Sequence, residues 1–205
     1  MNNFEKFKDL MKFDEDGDGY YFIQLIKRKK ENPGQKGDVI IKSYYITSIE
    51  KYDMLTQEMI DIAELTNSRV YVRPNRRSFK KTAFQMLKNL LNDIIIEDRN
   101  YRKGMGLFDG ASGQVHGDKE KKWIIDLDWE DDQTGFVLFE HYVDEVIIAI
   151  DNCKPEGDKI IERFHTKSGT HLITRPFDPR PLKERFKDAD IHKDNMTLLY
   201  TKREY

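Results

Sequence analysis

Residues 123–130 read Trp-Ile-Ile-Asp-Leu-Asp-Trp-Glu. Apolar, aromatic and β-branched side chains alternating with carboxylates predict a strand, whose successive side chains point to opposite faces. Trp123, Ile125, Leu127 and Trp129 share one face, which is fit only for a core. Ile124, Asp126, Asp128 and Glu130 share the other. Asp126 and Asp128, two positions apart on that face, stand roughly 7 Å from each other, beside an apolar layer that lowers the local dielectric. Like charges so placed repel. A divalent cation bridging or flanking them removes the repulsion, and two-metal phosphoryl-transfer sites use such pairs. An edge strand kept soluble by solvent-facing aspartates fits the same pattern.

Further along the chain, residues 160–166 and 171–175 flank Lys167-Ser168-Gly169-Thr170 and predict a hairpin. Ser168 and Gly169 make its turn, whose N–H groups can point at phosphate oxygens. Lys167 and Thr170 add donors, and His171 opens the returning strand. No second histidine or cysteine lies at ligand spacing, so His171 is placed to donate to a phosphate rather than to bind zinc. A satisfied histidine at a hairpin mouth is the plainer alternative. Residues 196–201 predict a last strand, and Asp194 just before it could supply a third carboxylate to a metal site, with Asp190 as competitor. Asp14, Asp16, Asp18 and Gly19 imitate the first half of a calcium loop, but the twelfth position is Leu25 instead of a bidentate glutamate, so a polar turn is expected there.

The first half of the chain predicts strands over 20–27 and 38–47, a helix capped by Ser48 and running to about Thr66, and a strand over 68–72 stopped by Pro74. Ser78 caps a second helix whose stripe of Phe79, Ala83, Leu87, Leu90, Leu91 and Ile94 is expected to face the core. Five of the 12 glycines fall between residues 100 and 118 (Gly104, Gly106, Gly110, Gly113 and Gly117), which predicts a loop able to close on a ligand, or a plain linker. After 123–130, Gly135–His141 reads as a strand, Val146–Ile150 as the end of a helix, and 181–186 as a short helix. The expected architecture is α+β: one domain of two lobes, an N-terminal αβ unit over 1–99 joined through the glycine-rich loop 100–118 to an antiparallel sheet with helices over 119–205. Tyr20, Tyr21, Phe22, Tyr44 and Tyr45 could stack bases, but aromatics in strands are more often core.

Composition bounds the function. The 205 residues suffice for one domain, and burial of roughly 70% of the unfolded surface at this length requires no staple. Cys153 is the single cysteine, which excludes a disulfide framework and a thiolate zinc site. No apolar run reaches a membrane span, and the start Met1-Asn2-Asn3-Phe4-Glu5 is unlike a signal peptide, so a cytoplasmic protein is expected. The formal charge of −2 excludes a bulk polycation. The charges are nonetheless segregated: Arg69–Lys81 carries six basic residues and no acidic one, Lys27–Lys30 is a second basic run, and Asp126–Asp132 carries five carboxylates and no base. Such segregation suits a phosphate-bearing ligand held with metal ions, or simply two solvated faces.

In order, these pieces resemble the catalytic core of archaeo-eukaryotic primases and primase-polymerases. That family carries a D-x-D motif on a strand, a small-x-His motif on a following hairpin and a hydrophobic-Asp motif further on. Asp126-Leu127-Asp128 is similar to the first, Gly169-Thr170-His171 to the second, and Asp194-Asn195-Met196-Thr197 to the third, although Lys193 stands where a hydrophobic residue is usual. Tyr71-Val72-Arg73-Pro74-Asn75-Arg76-Arg77 is similar to an Asn-and-Arg segment of the family's N-terminal lobe. The resemblance spans roughly residues 68–200 by order of motifs, and the chain is also similar to small proteins of bacteriophages and gut Bacteroides.

The resemblance implies an RRM-like catalytic lobe and nucleotidyl transfer with two Mg²⁺ or Mn²⁺ ions. Asp126, Asp128 and Asp194 would hold the metals. His171, helped by Lys167 and Ser168, would contact the phosphates of an incoming nucleoside triphosphate. Arg76 and Arg77 would meet the triphosphate or the backbone of a single-stranded DNA or RNA template. The 205 residues hold no zinc-binding or helicase segment, so initiation would need a helicase or other replication proteins as partners, in a bacterial or phage-infected cell. Two rivals are a non-catalytic relative that binds nucleic acid or protein, and a metal-dependent nuclease using the same carboxylates.

Overall fold

The computed structural model describes residues 1–15, 17–95, 106–115, 120–128 and 135–202. Trp129, Glu130, Asp131, Asp132, Asp16, Gly104 and Gly117 lie outside them. No helix is long and apolar enough to cross a membrane among the described residues.

The first sheet is built from β1 (Gly19–Lys27), β2 (Val39–Ile46), β3 (Arg69–Val72) and β9 (Thr197–Tyr200) in the order β2-β1-β3-β9, with the short β4 (Arg77–Ser78) pairing beside β1. All pairings are antiparallel. Helix α2 (Ile49–Thr66) joins β2 to β3. It begins where the Ser48 hydroxyl accepts from the Lys51 N–H at 3.2 Å and ends at Asn67, whose left-handed φ of 49° asparagine tolerates well. Its buried residues Tyr52, Met59 and Ala63 lie at helical spacing on one face of this sheet, together with Phe4 and Phe7 of α1 (Phe4–Lys8). Tyr20, Tyr21 and Phe22 are all buried in β1, and Tyr44 in β2. None of these four is a free stacking surface.

The second sheet runs β6-β7-β5-β8, from β5 (Trp123–Asp128), β6 (Ile160–His165), β7 (Gly169–Thr174) and β8 (Asp190–His192), again antiparallel throughout. With α5 (Gly135–Asp151) after β5 and α6 (Arg180–Arg185) after β7, the chain order is β-α-β-β-α-β, the split βαβ arrangement of RRM-like sheets. Trp123, Ile125 and Leu127 pack with Phe139, Val143, Val146 and Ile150 of α5 and Leu182 of α6 in a second core. The opposite face sends Ile124, Phe164 and Ile173 into the first core. The expected α+β fold, with a sheet-and-helix unit and an RRM-like sheet, is therefore observed.

Four expectations need correction. Gly135–His141 is helical: Phe139, Val143, Val146 and Ile150 make one continuous stripe, and burial on β5 outweighs the strand preference of Phe-Val-Leu-Phe. The glycine-rich segment contains α4 (Leu107–Gln114), whose Phe108 packs on Tyr20 and Tyr45. The lobes are not sequential: β9 crosses back to pair with β3, and the Met1 ammonium donates to the Thr201 carbonyl at 2.8 Å. Finally, α3 (Phe79–Ile95) anchors through Phe79 on Tyr20 and through Thr82, while Gln85 and Asn89 reach Gln114 of α4. Leu87, Leu90, Leu91 and Ile94 are consequently exposed rather than core-facing.

Gly169 fixes how closely β7 approaches β5. A Cβ there would overlap the Leu127 carbonyl oxygen and come within 2.9 Å of the Asp128 Cα. Gly169→Ala is expected to cost about 1–3 kcal/mol by forcing backbone apart, read as a lower midpoint in thermal or urea unfolding.

Candidate functional site

Residues directly opposite in an antiparallel pair share a face. Asp126 pairs with His171 on β7 and with Asp190 on β8, while Asp128 pairs with Gly169. The carboxylates therefore occupy the same face as Ile124 and Ile173, turned toward the first sheet. His171 Nε2 lies 3.1 Å from Asp126 Oδ1, but off the line of a good hydrogen bond, so this oxygen is sealed from water with no well-directed donor. The other ring nitrogen, Nδ1, is 3.0 Å from the Thr197 hydroxyl. Burial pushes the Asp126 carboxyl up, but His171, with His192 and Lys30, outweighs it and holds the group below the usual carboxylate value. Asp128 is exposed at the end of β5, where the Ser168 hydroxyl donates to it at 3.4 Å.

The hairpin turn is tied to the first sheet. Lys167 Nζ donates to Glu31 Oε1 at 3.0 Å, and Glu31 also accepts from Arg69 of β3 through Nε at 3.0 Å and through a second guanidinium nitrogen. Arg28 and Arg69 each donate to the Tyr71 hydroxyl at 3.4 Å. Burial would raise the Glu31 carboxyl, yet Arg69 and Lys167 bring it down to about 2. Lys167, expected as a phosphate donor, thus stands beside the site with a carboxylate partner.

Asp194, Arg76 and Arg77 take other places. The Arg77 side chain has 0% exposure, and its Nη2 donates to both carboxylate oxygens of Asp194 at 2.9 and 2.8 Å. Its Nε donates to the Ser112 carbonyl on α4 at 2.9 Å. Asn75 donates to Asp194 Oδ1 at 3.3 Å, and Arg73 donates to the Asp194 carbonyl at 3.2 Å. Asp194, expected as the third metal ligand, is instead the anion of a buried clamp, because an enclosed guanidinium must have a carboxylate beside it. Arg77 is that clamp's cation and not an open phosphate contact. Arg76 pairs with Asp14 at 2.9 Å. Sequence reasoning missed Glu31. It quoted Arg69 in the basic run, Asn75 in the Asn-and-Arg segment and Thr197 after Asp194, without the partners that the structure gives them.

No group of three histidine, cysteine or carboxylate side chains is poised to hold a metal by itself among the described residues. The pair Asp126 and Asp128 nevertheless fits a hard cation: both are oxygen donors on one face, and Asp126 Oδ1 is a buried acceptor without a well-directed donor. Mg²⁺ commonly takes only one or two carboxylates and completes its shell with water and substrate phosphates. Asp190 faces Asp126 across β8, but its side chain is 73% exposed and 3.9 Å from Lys183.

Two outcomes are expected. Arg77→Met should destabilise by about 3–5 kcal/mol, by stranding the Asp194 carboxylate, and adding Asp194→Leu should recover part of that loss in urea unfolding. Glu31→Gln should cost on the order of 1–2 kcal/mol at neutral pH. Because the folded carboxyl is depressed to about 2, its contribution is complete above the unfolded value near 4.5 and is lost as pH falls toward 2. Unfolding curves of wild type and Glu31→Gln should therefore converge over that window.

No family model, curated protein or solved structure matches this chain.

Proposed function

We propose that the chain is a metal-dependent nucleotidyltransferase acting on nucleic acid, of the primase and primase-polymerase type. The observation that carries this reading is the pairing of Asp126 and Asp128 on the central strand β5 with His171 and Gly169 on β7, beside a turn bearing Lys167 and Ser168. Two carboxylates for a cation and a histidine beside a polar turn are what a triphosphate needs on its two sides. The motif order supports the same reading, though a shared fold alone would host many activities.

In this reading Asp126 and Asp128 hold Mg²⁺ or Mn²⁺, which supplies neutralisation of the triphosphate charge and alignment of the reacting oxygen. His171 donates to phosphate oxygens, and the Ser168 hydroxyl donates beside it. Lys167 joins them on leaving Glu31, exchanging one anionic partner for another. The 3′-oxygen of a growing strand forms its bond to the α-phosphorus as the bond to pyrophosphate breaks, and the hydroxyl proton passes to solvent. Substrates are nucleoside triphosphates and a single-stranded DNA or RNA template, with a helicase or other replication proteins as partners in the bacterial or phage-infected cytoplasm. The third carboxylate of the family pattern is not part of this proposal at Asp194, whose oxygens face Arg77.

The test is incorporation of labelled nucleotides on single-stranded DNA with Mg²⁺ or Mn²⁺, with and without a primer. Metal-dependent product is expected, reduced about a hundredfold or more in Asp126→Ala/Asp128→Ala. Intact template without product would favour a binding relative, and a shortened template a nuclease.

A further inference from the structure

We infer that Thr197 is a positioning residue for His171: its hydroxyl fixes the imidazole in the tautomer whose Nε2–H faces Asp126. The inference deepens the proposed function, since it rests on His171 serving as a donor to substrate phosphate.

The geometry carries it. Thr197 has 0% exposure and lies on β9, opposite Val72 in the first sheet, whereas His171 lies on β7 in the second. Their 3.0 Å contact spans the two sheets. On its other side the ring places Nε2 3.1 Å from Asp126 Oδ1. An ionised carboxylate offers only lone pairs, so a bare Nε2 at this distance would set lone pair against lone pair. Nε2 therefore carries the proton, although its N–H is not aligned on Oδ1. A neutral imidazole with its proton on Nε2 has an acceptor at Nδ1, and that acceptor needs a donor. The Thr197 O–H is the donor in place. The neighbouring strand β6 sets apolar Phe164 across from His171.

The position of Thr197 is itself fixed. Asp194, three residues earlier, is held by Arg77, Asn75 and Arg73, so the buried ion pair delivers the hydroxyl to the ring. The consequence is chemical. A protonated Nε2 donates to an anionic oxygen, whereas a bare Nε2 would make His171 a metal ligand beside the carboxylates. Thr197 selects the first role.

The test is long-range ¹H–¹⁵N correlation of the full chain carrying ¹⁵N-histidine, recorded at rising pH until the ring reports a single N–H. The His171 signals are assigned by their loss in His171→Gln. Wild type and Thr197→Ser should show Nε2 protonated and Nδ1 bare, and Thr197→Val should show a shifted tautomer mixture. An Nδ1–H tautomer in the wild type, or a folded Thr197→Val identical to it, would overturn the proposal. If Thr197→Val does not fold, the wild-type and Thr197→Ser spectra still decide. In the incorporation assay Thr197→Val should lose about tenfold and Thr197→Ser should recover most of it. A wild-type protein that incorporates nothing defeats the functional reading, while the tautomer measurement decides the positioning role independently.

Discussion

A guanidinium with no access to water sits where three parts of this chain meet. Arg77 follows β3, reaches the Ser112 carbonyl on α4, and closes on the Asp194 carboxylate ahead of β9. Burying a cation is costly, and the cost is offset only when its partner is held in place. Arg73 and Asn75 provide that hold, and Asn75 also exchanges hydrogen bonds with the Lys122 backbone at the entry to β5, at 2.6 and 2.8 Å. One short segment, Arg73–Arg77, therefore sets both the start of the carboxylate-bearing strand and the approach of the last strand. The two sheets meet where they do because this network admits few other arrangements.

The candidate site grows from that meeting. β5 presents Asp126 and Asp128 from the second sheet, and β9 presents Thr197 from the first, with His171 between them. Gly169 lets β7 close on β5 beside Asp128. The turn after β6 is moored to β3 through Lys167, Glu31 and Arg69. Most of the polar groups around the site already have partners: the His171 ring lies against Asp126, Arg77 closes on Asp194, and Lys167 on the partly buried Glu31. A triphosphate with its cation would enter a site whose partners are already oriented, at the cost of exchanging some of these contacts.

Much of this was legible in the sequence where local chemistry and burial agree. Alternation at 123–128 gave the two faces of β5, and Lys167–Thr170 gave the hairpin that carries His171, whose place beside Asp126 comes from the pairing of β7 with β5. Ser48 and Ser78 marked helix starts correctly, with the Ser78 hydroxyl accepting from the Lys81 N–H at 3.1 Å. Legibility ended where partners are remote in sequence. Asp194 meets Arg77 from 117 positions away, and no local pattern distinguishes a carboxylate facing a cation from one facing a metal. Gly135–His141 carries strand-forming residues, yet its helix follows from what it packs against. The apolar stripe of α3 shows the converse: periodicity promises a buried face, and the fold leaves Leu87, Leu91 and Ile94 at the surface.

The central claim is that Asp126 and Asp128 receive a divalent cation together with nucleotide phosphates. A crystal of the full chain grown with Mn²⁺ and a non-hydrolysable nucleoside triphosphate tests it most directly. The account predicts anomalous density for manganese at these two carboxylates and phosphate oxygens beside His171 and Ser168. Manganese and nucleotide bound elsewhere, with the Asp126–His171 contact unchanged, would contradict it.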